Sequence, residues 1–339
     1  MLDKIKGSLI GGAVGDALGY AVEFLQDSTI FAKYGERGIT EYELTDGKAL
    51  ISDDTQMTMF TAEGLLRAKA KHKTPTVENY VEEIHRAYLD WYTTQLGGFD
   101  PSLQRADSPL LSIPELYACR APGVTCCSAL RQGVCGTIEN RVNNSKGCGG
   151  VMRIAPVPLM LTADASVSTE TSDMISLRAA AITHGHDLGF VPAAFVSHVI
   201  SEILLGKDIL TAVTLARECL EKYPCDYDEL AYFDGKIAMA IELAQDADID
   251  ELDAIRYIGQ GWVAEETAAI AVYCALKHSQ DFEAAMIAAV NHSGDSDSTG
   301  AVTGNILGAY LGYSAIPCKF IDNLELKDEL IELAEILAK

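Results

Sequence analysis

Four glycines, Gly300, Gly304, Gly308 and Gly312, recur at strict four-residue spacing near the end of this 339-residue chain, and Gly12, Gly15 and Gly19 punctuate an apolar stretch near its start. Residues three or four apart share one face of an α-helix. Inside a helix each glycine costs up to ~1 kcal/mol relative to alanine. Seven such positions therefore predict two helices whose bare faces let a neighbour approach closely. The first and last parts of the chain are expected to pack together in the core.

The rest of the chain reads as helix as well. Alternating β-type patterning is scarce, and apolar residues recur at helical spacing over 57–66, 77–91, 177–182, 191–205, 209–220, 230–243, 262–276, 282–290 and 324–337. Prolines and Asp, Asn, Ser and Thr residues separate these segments. The expected fold class is all-α, with roughly a dozen helices. Gly97 to Gly150 differs: Gly, Pro, Cys and Asn are dense and periodicity is weak, which predicts long loops around short helices. With no composition break and no fixed repeat, one domain over 1–339 is the simpler reading.

Charge narrows the function classes. Against 26 basic residues stand 49 acidic ones, a net charge of -23. Such a surface repels nucleic acid and anionic membranes, so neither is an expected partner, and an anionic ligand needs cations or helix N-termini to be held. No uncharged apolar run approaches the ~20 residues of a membrane span. The nine cysteines are odd in number and form no CxxC pair, and no secretory signal opens the chain. Reduced thiols and a cytoplasmic location are expected. The crowding from Cys119 to Cys135 matches no zinc spacing and reads as ordinary thiols. Nothing in the sequence fixes an oligomeric state, and a monomer is compatible with it.

Two acidic clusters carry the chemistry. Ser52-Asp53-Asp54-Thr55 precedes an apolar-periodic stretch, so it belongs at a helix N-terminus, where either Ser or Asp can cap and the helix dipole favours carboxylates. Gly294 to Gly300 (G-D-S-D-S-T-G) opens the glycine-rich helix with Asp295 and Asp297. Either alone is explained by capping. Together they offer four carboxylates and flanking hydroxyls, hard oxygen ligands suited to Mg2+, Mn2+ or Ca2+, and two such ions ~3.5–4 Å apart relieve the repulsion. Seven scattered histidines argue against zinc. Asp16 and Glu23, seven residues apart, fall on one face of the first helix. Asp16 either bonds neighbouring groups or joins the metal site; Glu23 is assigned a metal-linked or base role.

Two further segments are unusual. Asn144 to Arg153 (N-S-K-G-C-G-G-V-M-R) is a glycine loop of the sort that exposes N–H groups to phosphates. His184, in T-H-G-H, closes another helix, where a histidine serves the helix dipole or a ligand.

The motifs G-S-L-I-G-G-A-V-G-D-A-L-G-Y-A-V-E-F (7–24), S-D-D-T-Q-M (52–57), G-C-G-G-V-M-R-I-A-P-V (147–157), A-I-T-H-G-H (181–186), G-Q-G-W-V-A-E-E (259–266) and N-H-S-G-D-S-D-S-T-G-A-V-T-G (291–304) stand in one order along the chain. In this the chain resembles the ADP-ribosylglycohydrolase family. The resemblance implies an orthogonally packed all-α domain with a dinuclear Mg2+ (or Mn2+) centre. It implies Ser52, Asp53, Asp54, Asp295, Asp297 and Ser298 as ligands, and Glu23, Asp54 and Asp297 as candidates for the catalytic carboxylate. Ser145, Gly147, Gly149, Gly150 and Met152 match the loop that holds ribose and diphosphate, and His184 a phosphate-side contact. The implied partner is ADP-ribose or an ADP-ribosylated protein, with arginine the first acceptor. ADP-ribosyl-serine, O-acetyl-ADP-ribose, a binding role without cleavage and a structural role remain the alternatives. Much of the family has Asn where this chain has Cys148, after Lys146; that departure is expected to concern the acceptor side and to leave the metal ligands untouched.

Overall fold

The computed structural model describes residues 1–164 and 166–339. Among the described residues the chain forms sixteen α-helices, several single 3-10 turns and one two-residue hairpin, Leu44–Thr45 with Lys48–Ala49. The all-α expectation holds. From Gly97 to Gly150 the one α-helix is Val124–Leu130, set among short 3-10 turns, as the weak periodicity predicted.

The first helix, Leu2–Tyr20, lies along the Ser296–Leu311 helix at close range. The contact is a ladder, but with a different register from the one read in the sequence. A methyl group at Gly7 would overlap the carbonyl of Gly308, one at Gly11 that of Gly304, one at Gly15 that of Gly300, and one at Gly19 that of Ser296. The facing row thus has four-residue spacing on both helices. Gly12 sits off this row and faces the side chain of Asn305, whose amide donates to the Ser8 carbonyl while the Ser8 hydroxyl donates to the Asn305 carbonyl, each at 2.9 Å. Gly312 lies beyond the helix as its C-cap, with φ 86°.

Around this pair one continuous core collects most of the other helices. The Asp187–Leu204 helix is long and apolar enough to span a membrane, yet 94% of it is buried; it packs against helices 169–181, 209–219 and 264–277. Its apolar length serves the core.

Candidate active site

Two helix N-termini meet beside the first helix. Ser52 caps the Asp53–Lys71 helix, its hydroxyl accepting the Asp54 N–H at 3.2 Å. The carboxylate of Asp16 accepts the Ser52 N–H at 3.0 and 3.1 Å and the Thr55 N–H at 3.0 Å, and also bonds the Thr55 hydroxyl. Asp16 therefore fixes the Ser52–Asp54 segment to the first helix. The other segment arrives through the glycine ladder. Gly294 turns the chain into the Ser296–Leu311 helix at φ 151°, and a side chain there would strike the Gln260 carbonyl. Asp295 next donates its N–H to that same carbonyl at 2.8 Å.

The result is a group of buried acids drawn from three parts of the sequence: Asp16 and Glu23; Asp53 and Asp54; Asp295 and Asp297. Oxygens of Glu23, Asp295 and Asp297 lie within 4.8 Å of one another. Among the described residues no lysine or arginine pairs with any of the six. Oδ2 of Asp54 and Oε2 of Glu23 are buried and have no hydrogen-bond partner. Burial first, and the Asp297 charge next, push Glu23 up to about 10 and Asp16 up to about 7. Asp53, Asp54 and Asp295 are raised well above the usual carboxylate range for the same two reasons, and Asp297 is raised by burial. Acids arranged so, with oxygens left unpartnered, fit a multivalent cation: they have the hard donors, and they lack any other counter-charge.

Glu23 reaches this group from outside the helix. The first helix ends at Tyr20, and residues 21–24 form a turn, so the shared-face argument fails for Glu23 even though the residue arrives at the cluster.

A cavity of about 440 Å³ opens over the acids. Glu23, Asp53, Asp54, Asp295, Asp297 and Ser298 line it, as do Gly147, Gly149, Met152 and His184. Three expected site residues stand behind the wall. Ser52 is buried as the helix cap. Ser145 braces the loop, bonded to the Thr125 hydroxyl at 3.0 Å and to the Gly147 N–H at 3.3 Å. Gly150 packs on Gly189 and Ala180. The loop is also less open than a free phosphate cradle, because the Cys148 N–H bonds the Trp262 carbonyl at 3.3 Å. At Gly149 a side chain would meet Cys126 Sγ at 2.8 Å and the His184 ring at 2.9 Å. His184 is buried, its Nδ1 2.9 Å from the Thr183 hydroxyl. Burial, then the Arg153 charge, lower its pKa to about 3, so the ring is neutral.

Cys148 corrects the sequence reading. Its thiol donates to Asp295 Oδ2 at 2.7 Å, so the departure at this position bears directly on one of the predicted metal-ligand carboxylates. Sequence reasoning also missed the stretch Ala121–Thr125, which forms one wall, and the aromatic residues Phe24 and Trp262 at the mouth. The first lies in the aperiodic region and left no signal. The aromatics were visible, placed beside Glu23 and inside G-Q-G-W.

The family model for ADP-ribosylglycohydrolase matches residues 1–339. The chain is 25% identical over 343 residues to the ADP-ribosylarginine hydrolase Tri1 of Serratia proteamaculans, covering 99% of this chain and 79% of that protein. It is 24% identical to the ADP-ribosyl-[dinitrogen reductase] glycohydrolase of Rhodospirillum rubrum, over 96% of this chain and 92% of that protein. Among solved structures, an ADP-ribosylglycohydrolase-related protein complex superposes with a TM-score of 0.59 at 24% identity, covering 99% of this chain and 97% of the other, a likeness of fold. The chain belongs to the ADP-ribosylglycohydrolase family, a family of glycosidic-bond hydrolases.

Proposed function

We propose that the chain is a metal-dependent hydrolase that cleaves the bond between C1'' of ADP-ribose and an acceptor, with arginine side chains of proteins as the first substrate class. The observation that carries this reading is the set of six buried acids with no basic partner, two of them holding unpartnered oxygens in a cavity. The arginine preference is supported by the printed activity of Tri1, an ADP-ribosylarginine hydrolase.

Asp53, Asp54, Asp295 and Asp297, with the hydroxyls of Ser52 and Ser298, are the residues that would hold two Mg2+ or Mn2+ ions. Such ions would relieve the repulsion within the cluster and supply Lewis acidity for activating a water. Glu23, whose Oε2 has no hydrogen-bond partner within the protein, would serve as general base toward an attacking water, with Asp54 and Asp297 as the other candidate carboxylates. The transition state is oxocarbenium-like, as in glycoside hydrolysis, and the surrounding carboxylates favour positive charge at the anomeric carbon. Gly149 faces the cavity on the loop side and offers its N–H to the diphosphate. Neutral His184, with Nδ1 engaged by Thr183, turns Nε2 toward Gly147 and Gly149 as a further polar contact. Met152 supplies an apolar wall.

The test is turnover of ADP-ribosyl-arginine, ADP-ribosyl-serine and O-acetyl-ADP-ribose, each with Mg2+ and with EDTA. Release of ADP-ribose from the arginine conjugate, abolished by EDTA, is expected. Turnover of another conjugate alone moves the acceptor assignment. Binding of ADP-ribose with no turnover of any conjugate would sink the catalytic reading.

A further inference from the structure

Phe24 and Trp262 are exposed, by 71% and 40%, yet their rings stack with centroids 5.9 Å apart and planes at 21°. Neither packs the core, and both line the acid-floored cavity. Both sit on hydrogen-bonded turns, Phe24 in the 21–24 turn that the Leu25 N–H closes on the Val22 carbonyl at 2.8 Å. Phe24 follows Glu23, and the Trp262 carbonyl holds the Cys148 N–H. The turn before Trp262 is braced by Glu266, whose carboxylate accepts the N–H groups of Gln260 at 2.9 Å and Gly261 at 3.3 Å. An aromatic ring presented to solvent on a braced turn, at the edge of a cavity, is a contact surface awaiting a ligand group.

The chemistry of that group follows from its surroundings. None of the residues lining the cavity is a lysine or an arginine, and the chain as a whole carries a charge of -23. Aromatic faces attract cations, the chain's net negative charge adds to this, and a guanidinium is planar, weakly hydrated and stacks on rings. A serine ether or an acetyl ester gains none of these terms. A planar group between the two rings would need a ~3.5 Å contact on each side, more than 5.9 Å allows. The cation therefore lies on an outer face, with the second ring as backing.

We infer that Phe24 and Trp262 form the acceptor platform of the enzyme, reading the guanidinium of an ADP-ribosylated arginine at the cavity mouth. This rests on the hydrolase reading above and adds the element that selects the substrate.

The experiment compares wild type with Phe24→Leu, Trp262→Leu, the double variant and Trp262→Phe, in the presence of Mg2+. Both side chains are exposed, so leucine leaves the core intact, and helical circular dichroism checks this. Two quantities are read: kcat/KM for ADP-ribosyl-arginine, and calorimetric Kd for free ADP-ribose. The expected result is a loss of about 2- to 30-fold in kcat/KM for the leucine variants, the range of a cation resting on an aromatic face. ADP-ribose affinity stays unchanged, and Trp262→Phe recovers most of the loss. Unaltered kcat/KM in the double variant overturns the inference, and so does a parallel loss of ADP-ribose affinity, which would make the pair part of the nucleotide site. Wild-type turnover of the serine or ester conjugate but not of the arginine conjugate overturns it too, while leaving the hydrolase reading standing. A wild type inactive on all three removes both.

Discussion

The carboxylate of Asp16 receives the backbone N–H of Ser52 at 3.0 and 3.1 Å, across 36 residues of sequence. Through this contact the first helix sets the position of Asp53 and Asp54, while its glycine face sets the position of Asp295 and Asp297. One helix aligns both halves of the acidic site. Asp16→Asn keeps the shape but loses one acceptor oxygen and the charge. It is expected to weaken Mn2+ binding and kcat/KM about 10- to 100-fold, the usual cost of removing a group that orients metal ligands. Calorimetric Mn2+ titration beside turnover assays checks this, and a variant with wild-type metal affinity would show that Asp16 supports folding alone.

Removing one of the proposed metal ligands should act oppositely on activity and on metal-free stability. Asp297→Ala and Asp53→Ala are each expected to abolish turnover and weaken metal binding while keeping the helical fold. Asp297 is also the charge that most raises its neighbours, after burial itself. Without metal, deleting it relieves repulsion. Metal-free Asp297→Ala is therefore expected to melt at a higher temperature than metal-free wild type near pH 8, with the order reversed at saturating Mg2+. Melting curves with and without EDTA decide it; the same order under both conditions would contradict a metal-holding role.

The pH dependence of the metal-free protein has a definite sign. Unfolded carboxylates release their protons at about pH 4. In the folded chain Asp16 holds its proton up to about 7 and Glu23 up to about 10. Stability from these groups is complete below the unfolded values and is lost as pH rises, from about 4 to 7 for Asp16 and on toward 10 for Glu23. His184, lowered to about 3, works the other way, reducing stability as pH falls below about 6.5, one group against the cluster. Metal-free protein is thus expected to melt at lower temperature at pH 9 than at pH 7, and Glu23→Gln to flatten that slope. Scanning calorimetry in EDTA across this range is the check, and a Glu23→Gln curve parallel to wild type would count against it.

The legible and illegible parts of the site divide along a physical line. Ser52–Asp54 and Asp295–Ser298 could be singled out because, although capping explains either alone, four carboxylates at two helix starts together call for a shared counter-charge. The all-α fold could be read because its helices have apolar periodicity of their own. The Asp16 brace and the Cys148–Asp295 contact could not, since their partners lie 36 and 147 residues away and no local pattern encodes such pairing. Glu23 was singled out by its spacing from Asp16 but misplaced on a helix that stops at Tyr20, because Ala21 and Val22 continue the apolar pattern after the helix has ended. The glycine ladder was half legible. Gly12 obeys the spacing as well as Gly11 does, and only the partner helix shows which of the two faces it.

That register makes the last prediction the sharpest about the fold. At Gly304 a methyl group would overlap the carbonyl of Gly11, backbone against backbone, where neither helix can yield without moving the acids at its end. Gly304→Ala is expected to destabilise by about 1–3 kcal/mol, the range for overpacking a tight core, and to lower metal affinity by shifting Asp295 and Asp297. The matched control is Gly235, exposed in the Tyr227–Gln245 helix with nothing within 4 Å of an added methyl. There alanine gains helix propensity alone, and Gly235→Ala should stabilise by up to ~1 kcal/mol with activity unchanged. Urea unfolding of the two variants, with Mn2+ titration of each, tests both signs at once. A Gly304→Ala protein as stable as wild type would mean that the two helices are not in close backbone contact, and the alignment of the acidic clusters would need another cause.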